Sequence, residues 1–326
     1  MVKAKVWKIR AMFHGEPKED DLELVEENLP DLKEGEMLLE ALYMSVDPYM
    51  RPFVADRAKV GDTMIGEQIA RVIESKNSQY PVGTIVRTHA GWRTHTVTSD
   101  LTRHMPDLGD LPLSTALGVV GMPGMAGYFG FLEMCKPSEG ETVLVNAASG
   151  AVGSVVGQIA KIKKCKVIGF AGTEEKCQWL RDLGFDYAYN YKTVKLDEAI
   201  KEAAPEGIDC YFDNVGGEFT MTVLEHMKTF GRIAVCGTIS GYNETEQPKG
   251  ILPFPTILFK QLTVQGFIIS SKWLDRYPEG EKQMVEWIKQ GQMKYRETVT
   301  EGIEHMYTAF QGLFKGTNIG KAIIKC

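Results

Sequence analysis

The sequence predicts an α/β protein, a doubly wound parallel sheet flanked by two β-rich ends of the chain. Three observations carry this. From about Gly121, apolar strand-like runs alternate with helical patterns. At Thr142–Gly153 a β-branched apolar run feeds a turn of small residues, and an apolar helical pattern follows. The first third and the C-terminal tail instead show short strand patterns, punctuated in the first third by Gly, Pro and Asp. Strands joined by helical crossovers pack as a parallel sheet with helices on its faces.

The elements follow in order. Met37–Met44, Gly66–Glu74 and Thr84–Thr88 are apolar or alternating segments and read as strands. Six more strands are expected at Thr142–Asn146, Lys166–Ala171, Tyr187–Asn190, Cys210–Asp213, Arg232–Cys236 and Thr263–Phe267. Helical spacing falls between them at Ser154–Lys163, Glu174–Leu183, Leu196–Ala203 and Glu218–Met227, and again at Glu279–Gln290. Lys294–Thr300 and Lys321–Lys325 return to strand texture, so the tail is expected to fold back onto the first third. That gives one domain from 1–120 plus 296–326 and another from 121–295.

Bulk composition narrows the class. With 326 residues and 44% hydrophobic content, two cores can be filled. A net charge of −6 with interspersed signs argues against a nucleic-acid surface. The basic start leads into no apolar segment and no window approaches a membrane span, so neither a signal peptide nor a membrane protein is expected. Cys135, Cys165, Cys177, Cys210, Cys236 and Cys326 are scattered, as in a reduced, cytoplasmic protein.

The turn after Thr142–Asn146 carries the chemistry. Ala148-x-Gly150-x-x-Gly153 stands between strand and helix where a dinucleotide fingerprint places its glycines. Small residues let the backbone approach a pyrophosphate, and the helix N-terminus attracts its charge. NAD-binding folds put an acid at the tip of the second strand, about 20 residues on. Here that strand ends Gly169-Phe170-Ala171-Gly172-Thr173, with Lys176 close behind and Tyr191 at the end of the third. A cation without a tip carboxylate fits a 2′-phosphate, so NADPH/NADP+ is expected. Glu174 and Glu175 are displaced ribose ligands on one reading; on the other they sit in the first helical turn, where negative charge suits the dipole.

Several stretches together carry a family resemblance: Ser45–Arg51, Val120–Met125, Asn146–Lys161, Tyr211–Glu218 and Phe230–Ala234. In this order, and nearly end to end, they resemble the zinc-less branch of the medium-chain dehydrogenase/reductases. The resemblance implies a GroES-like β-barrel domain into which the Rossmann domain is inserted. Zinc-dependent relatives place a cysteine near Ser45–Asp47, a Gly-His-Glu near Gly66-Glu67 and a lobe of four close cysteines. Here Ile65 precedes Gly66, Glu67 follows it directly with no histidine between, and none of those cysteines exists; His14, His89, His95, His104, His226 and His305 show no metal spacing, so no metal is expected.

What the resemblance implies about function is specific. It implies NADPH-dependent reduction of the double bond of α,β-unsaturated ketones and aldehydes, such as 15-oxo-prostaglandins and lipid-derived alkenals. It also implies NADP-dependent oxidation of the leukotriene B4 12-hydroxyl, and a homodimer or a monomer. A quinone reductase and a crystallin-like NADPH-binding protein are the alternatives. Tyr242, closing the loop Cys236-Gly237-Thr238-Ile239-Ser240-Gly241-Tyr242, is implied as hydrogen-bond donor to the substrate oxygen; read alone, it is a packing or surface residue. Implied cofactor contacts are Gly150, Ala151, Val152, Gly153, Lys176, Tyr191, Asn214, that loop, Phe267, Ile268, Ile269 and Asn318. The bland account of Asn214 is a turn residue before Gly216-Gly217. Asp47-Pro48 has the form of an N-cap and first helical position. Tyr49 and Arg51 on that helix are candidate substrate contacts, Arg51 facing either a lipid carboxylate or a surface salt bridge.

Overall fold

The computed structural model describes residues 2–100, 104–246 and 253–326. The chain divides into two units, Met1–Leu117 with Glu297–Cys326 and Gly118–Arg296.

The first unit begins with an antiparallel pair, β1 (Lys3–Ile9) and β2 (Leu22–Asn28). Then come β3 (Met37–Ser45), α1 (Met50–Arg57), β4 (Gln68–Ser75), β5 (Ile85–Thr88) and β6 (His95–Thr98). The β1–β2 hairpin was not expected. Its first strand alternates buried and exposed residues, but the charged second strand disguises the pairing.

The second unit opens with α2 (Met122–Phe129), continued by a π-helical turn at Gly130–Cys135. The alternation follows: β7 (Thr142–Val145), α3 (Gly153–Ile162), β8 (Lys166–Ala171), α4 (Glu174–Asp182), β9 (Tyr187–Asn190) and α5 (Leu196–Ala203). It continues with β10 (Ile208–Asp213), α6 (Gly217–Glu225), β11 (Met227–Val235), α7 (Phe254–Phe259) and β12 (Thr263–Gly266). Two helices, α8 (Ile269–Lys272) and α9 (Tyr277–Lys289), end the unit. The strands run in the order β12-β11-β10-β7-β8-β9, every pair parallel. That is the doubly wound order 6-5-4-1-2-3. Val143, Leu144 and Val145 are fully buried, each contributing about 1.5–3 kcal/mol of apolar burial. Leu144, Phe170, Tyr211 and Ile233 pack against Ile200 and Ala203 of α5 and Val223 of α6.

The chain then returns to the first unit as β13 (Glu297–Glu301), α10 (Met306–Lys315) and β14 (Lys321–Lys325). The first unit's main sheet runs β13-β14-β3-β4-β5, with β6 also on β3. Its core gathers Trp7, Met44, Val54, Trp92, Met306 and Phe310 from both ends of the chain.

Several boundaries differ from expectation, most of them by one or two residues, and β11 starts at Met227 rather than Arg232. The helix expected to reach Met227 ends at Glu225, because Met227 is buried at the start of β11. The strand expected from Lys294 starts at Glu297. Lys294 is held in the second unit, its N–H donating to Gln158 Oε1 at 2.7 Å and its carbonyl accepting from Gln158 Nε2 at 2.9 Å. Asp47 is not an N-cap. The N-cap position of α1 is Tyr49, and the Asp47 carboxylate instead accepts from Lys321 Nζ at 2.8 Å, both side chains being buried.

Candidate active site

The strand order reverses between β7 and β10, and ligands of open α/β sheets bind outside the carboxyl ends of strands at such a switch. The turn leaving β7 is built for close approach. Ala147 sits at φ +43°, a left-handed conformation uncommon for a residue with a side chain. A Cβ on Gly153 would lie 2.6 Å from the Ala147 carbonyl oxygen and 2.8 Å from Ala148 Cα, so only glycine lets α3 start this close to the turn. A Cβ on Gly150 would stand 3.2 Å from the same oxygen. Ala151 and Val152 lie between them. The first N–H groups of a helix have no acceptor within it, so the start of α3 suits a pyrophosphate anion.

At the tip of β8, Thr173 caps α4 by accepting from the Lys176 N–H at 3.3 Å. Glu174 and Glu175 occupy the first turn and pair with Arg181 and Arg296. Lys176 is buried rather than a solvated surface lysine. Burial lowers its pKa below the ordinary 10.5 and the neighbouring Lys192 charge lowers it further, while Glu175 opposes both. The Lys192 charge acts on the Lys176 ammonium, so this turn gathers positive charge. Lys192 had not been singled out, although its place beside Tyr191 at the end of the strand next to β8 was a usable signal. Tyr191 is half exposed, and its ring covers the spot where a Gly172 Cβ would sit, 3.3 Å away. A 2′-phosphate fits this donor set.

The third part is a cleft of about 410 Å³ at the ends of β11 and β12, lined among others by Cys236, Gly237, Thr238, Tyr242, Phe267 and Ile268. The Tyr242 hydroxyl accepts from the Thr238 N–H at 3.4 Å and lies 3.1 Å from the place of a Gly237 Cβ. Burial raises the phenol's pKa above its ordinary value of 10. Burial, then the Asp213 carboxylate, push the Cys236 thiol up to about 12, so it stays an unreactive thiol. Ile239–Gly241 form one helical turn, and the Ser240 hydroxyl donates to the Val215 carbonyl at 2.6 Å. Phe267 packs edge-on to Trp273, ring centroids 5.6 Å apart, while Ile269 is buried at the start of α8.

Asn214 is tied to β7, its side-chain amide donating to the Asn146 carbonyl at 2.9 Å. It is therefore also a turn residue, ahead of Gly216 and Gly217 at positive φ. In the first unit, Asn318 donates from its side chain to the Gly320 carbonyl at 2.8 Å, and Tyr49 packs half-buried against the core. Arg51 is not in a surface salt bridge. Its buried guanidinium donates to the Gly15 carbonyl at 2.8 and 3.2 Å and lies 5.6 Å from the Phe13 ring centroid. Burial lowers its pKa, with the Asp21 charge opposing. Among the described residues no three His, Cys, Asp or Glu side chains form a group able to hold a metal.

Residues 5–105 match the family model described as the N-terminal domain of oxidoreductase, and residues 151–290 match that of zinc-binding dehydrogenase. The chain is 54% identical over 330 residues to prostaglandin reductase 1 of Bos taurus, with 100% of both chains covered. It is 40% identical over 334 residues to the NADPH-dependent curcumin reductase of Escherichia coli (strain K12), covering 98% of this chain and 96% of the relative. Among solved structures, CurA from Vibrio vulnificus in complex with NADPH superposes with a TM-score of 0.93 at 37% identity, over 99% of each chain. With sequence, fold and switch-point site in agreement, the chain belongs to the zinc-less branch of the medium-chain dehydrogenase/reductases.

Proposed function

We infer that this chain is an NADPH-dependent reductase of the carbon–carbon double bond in α,β-unsaturated ketones and aldehydes. The observation that carries the reading is Tyr242, a protonated phenol in the cleft where β11 and β12 end. When bound, NADPH supplies the hydride for the β-carbon of such a substrate. Gly150 to Gly153 would hold its pyrophosphate, and Lys176, Lys192 and Tyr191 its 2′-phosphate. As hydride adds to the β-carbon, the double-bond electron pair moves onto the substrate's carbonyl oxygen as an enolate, and the α-carbon then takes a proton from solvent. Tyr242 Oη donates a hydrogen bond to that oxygen, the stabilisation that a metal would otherwise supply. Phe267 and Ile268 line the cleft with apolar surface suited to the substrate's carbon chain.

Relatives named for prostaglandin, curcumin and 2-alkenal reduction support 15-oxo-prostaglandins and lipid-derived alkenals as the substrates we propose, and the family resemblance alone adds oxidation of the leukotriene B4 12-hydroxyl. The test offers purified protein and NADPH a 15-oxo-prostaglandin, a 2-alkenal and a simple quinone, following NADPH absorbance. A further arm offers NADP+ with leukotriene B4. Turnover of the first two supports the reading. Turnover of the quinone alone overturns it in favour of a quinone reductase, and no turnover at all in favour of a non-catalytic NADPH-binding protein.

We place the protein in the cytoplasm as a homodimer. Six free cysteines fit a reducing compartment, and among the described residues no helix is long and apolar enough to cross a membrane. The edge strand β12 exposes all four of its residues, beside exposed Phe254, Leu258, Phe259 and Ile268.

A further inference from the structure

The turns leaving β7, β10 and β11 are joined by one hydrogen-bond network, and its buried centre is a pair of residues with no role so far. Asn146 and Asp213 are each 1% exposed. The Asn146 side chain uses both ends: Nδ2 donates to Asp213 Oδ1 at 2.8 Å and to the Tyr211 hydroxyl at 2.6 Å, and Oδ1 accepts from the Asn214 N–H at 2.7 Å. Asp213 Oδ1 also accepts from the N–H groups of Val215 and Gly216, both at 2.9 Å, and Oδ2 accepts from Thr220 Oγ1 at 2.6 Å. The Tyr211 hydroxyl and Thr220 Oγ1, 3.0 Å apart, close the ring.

From this ring the bonds run to the tyrosine loop. The Asp213 carbonyl accepts from Cys236 and Gly237, at 2.8 and 3.2 Å. The Asn214 carbonyl accepts from Ile239 at 3.3 Å, and the Val215 carbonyl accepts both the N–H and the hydroxyl of Ser240. On the other side, Asn146 is the residue at which β7 becomes the pyrophosphate turn. Residue 146 must donate towards Asp213 and accept from Asn214, and only an amide among side chains of this shape does both. A carboxylate there would set an acceptor, and a like charge, against Asp213.

We propose that Asn146 and Asp213 are positioning residues that set the loop carrying Tyr242 against the turn that receives the cofactor's pyrophosphate. Cofactor seated on Gly150–Gly153 then steadies, through residues 213–215, the loop from which Tyr242 projects. The proposal rests on the reading of Tyr242 given above.

The test is hydrogen exchange of the full chain with and without saturating NADPH, on wild type and Asn146→Asp. NADPH is expected to slow exchange at both 150–156 and 236–242 in wild type, by about tenfold or more. In Asn146→Asp it is expected to slow only the first segment, with kcat lowered about tenfold or more. A merely structural role would loosen both segments together. Equal NADPH protection of 236–242 in wild type and variant, or none in wild type, overturns the proposal. Should Asn146→Asp fail to fold, Ser240→Ala removes the exposed hydroxyl bond to Val215. It is expected to reduce protection of 236–242 by about threefold and to leave 150–156 unchanged, and unchanged protection of both overturns the proposal. Exchange does not depend on turnover, so failure of the Tyr242 reading shows separately, as a Tyr242→Phe enzyme with undiminished kcat.

Discussion

In the role proposed for it Tyr242 has to keep its proton, and burial favours this by raising its pKa above 10. One hydrogen bond to a charged oxygen is worth about 1.5–3 kcal/mol, so Tyr242→Phe is expected to lower kcat roughly 10- to 100-fold. NADPH binding, read by nucleotide fluorescence, is expected to stay as in wild type; an unchanged kcat would remove the hydroxyl from the chemistry. Lys176 makes the opposite demand, since it must be charged to meet a phosphate. Burial and the Lys192 charge hold its folded pKa below 10.5, so its charge is lost as pH rises through that lowered value. Preference for NADPH over NADH is therefore expected to be full at neutral pH and to fade in alkali. Lys176→Ala is expected to cut the preference by about 10- to 100-fold at neutral pH and to flatten its alkaline fall. Dissociation constants for both nucleotides across pH check this, and an unaltered preference would assign the phosphate elsewhere. That Lys176 follows the second strand, in the first turn of α4, is legible in the sequence. The bond between Asn146 and Asp213 is not, because 67 residues separate the two and only the fold brings them together.

At the scale of elements, legibility followed burial. Parallel strands covered on both faces read as apolar runs, which is why β8 falls at its expected limits, whereas the half-buried edge strand β9 does so on its short Tyr-Ala-Tyr-Asn run. What decided the misplaced boundaries was tertiary: Gln158 holding Lys294, and Lys321 claiming Asp47 from 274 residues away. The π-helical turn after α2 was equally invisible, yet it bears on the site. A Cβ on Gly130 would lie 2.2 Å from Phe267 Cζ, so the missing side chain makes room for a ring that lines the cleft. Gly130→Ala is expected to destabilise the protein by about 1–3 kcal/mol through overpacking. Gly130→Ala combined with Phe267→Leu is expected to recover part of that loss, because the smaller side chain relieves the same contact. Thermal melts of wild type, both single variants and the double variant check it; strictly additive losses would mean that Gly130 and Phe267 do not press on each other.

Over the whole molecule, the first unit is completed by the last thirty residues, which add β13 and β14 to its sheet and bury Lys321 against Asp47. The second unit's sheet is closed off differently at its two ends. β12 lies at one edge with β11 as its partner, and no other strand covers it among the described residues. An uncovered edge presents unpaired N–H and C=O groups, and soluble chains usually blunt such edges with charge. Here Thr263–Gly266 carry no charge, and the helix before them exposes Phe254, Leu258 and Phe259, with Phe259 80% exposed. A second copy related by a two-fold axis matches both needs, since an edge strand meeting itself runs antiparallel and brings the same apolar side chains together. Sedimentation equilibrium at micromolar concentration is therefore expected to give twice the chain mass of 36.4 kDa. Val264→Lys with Phe259→Asp places like charges against their own copies across the axis and is expected to return the mass to 36.4 kDa. Its Tm would fall only by what the dimer contributed, so a concentration-dependent wild-type Tm that becomes concentration-independent in the variant is the accompanying sign. A wild-type chain that sediments at 36.4 kDa would instead mean that this edge stays open in solution.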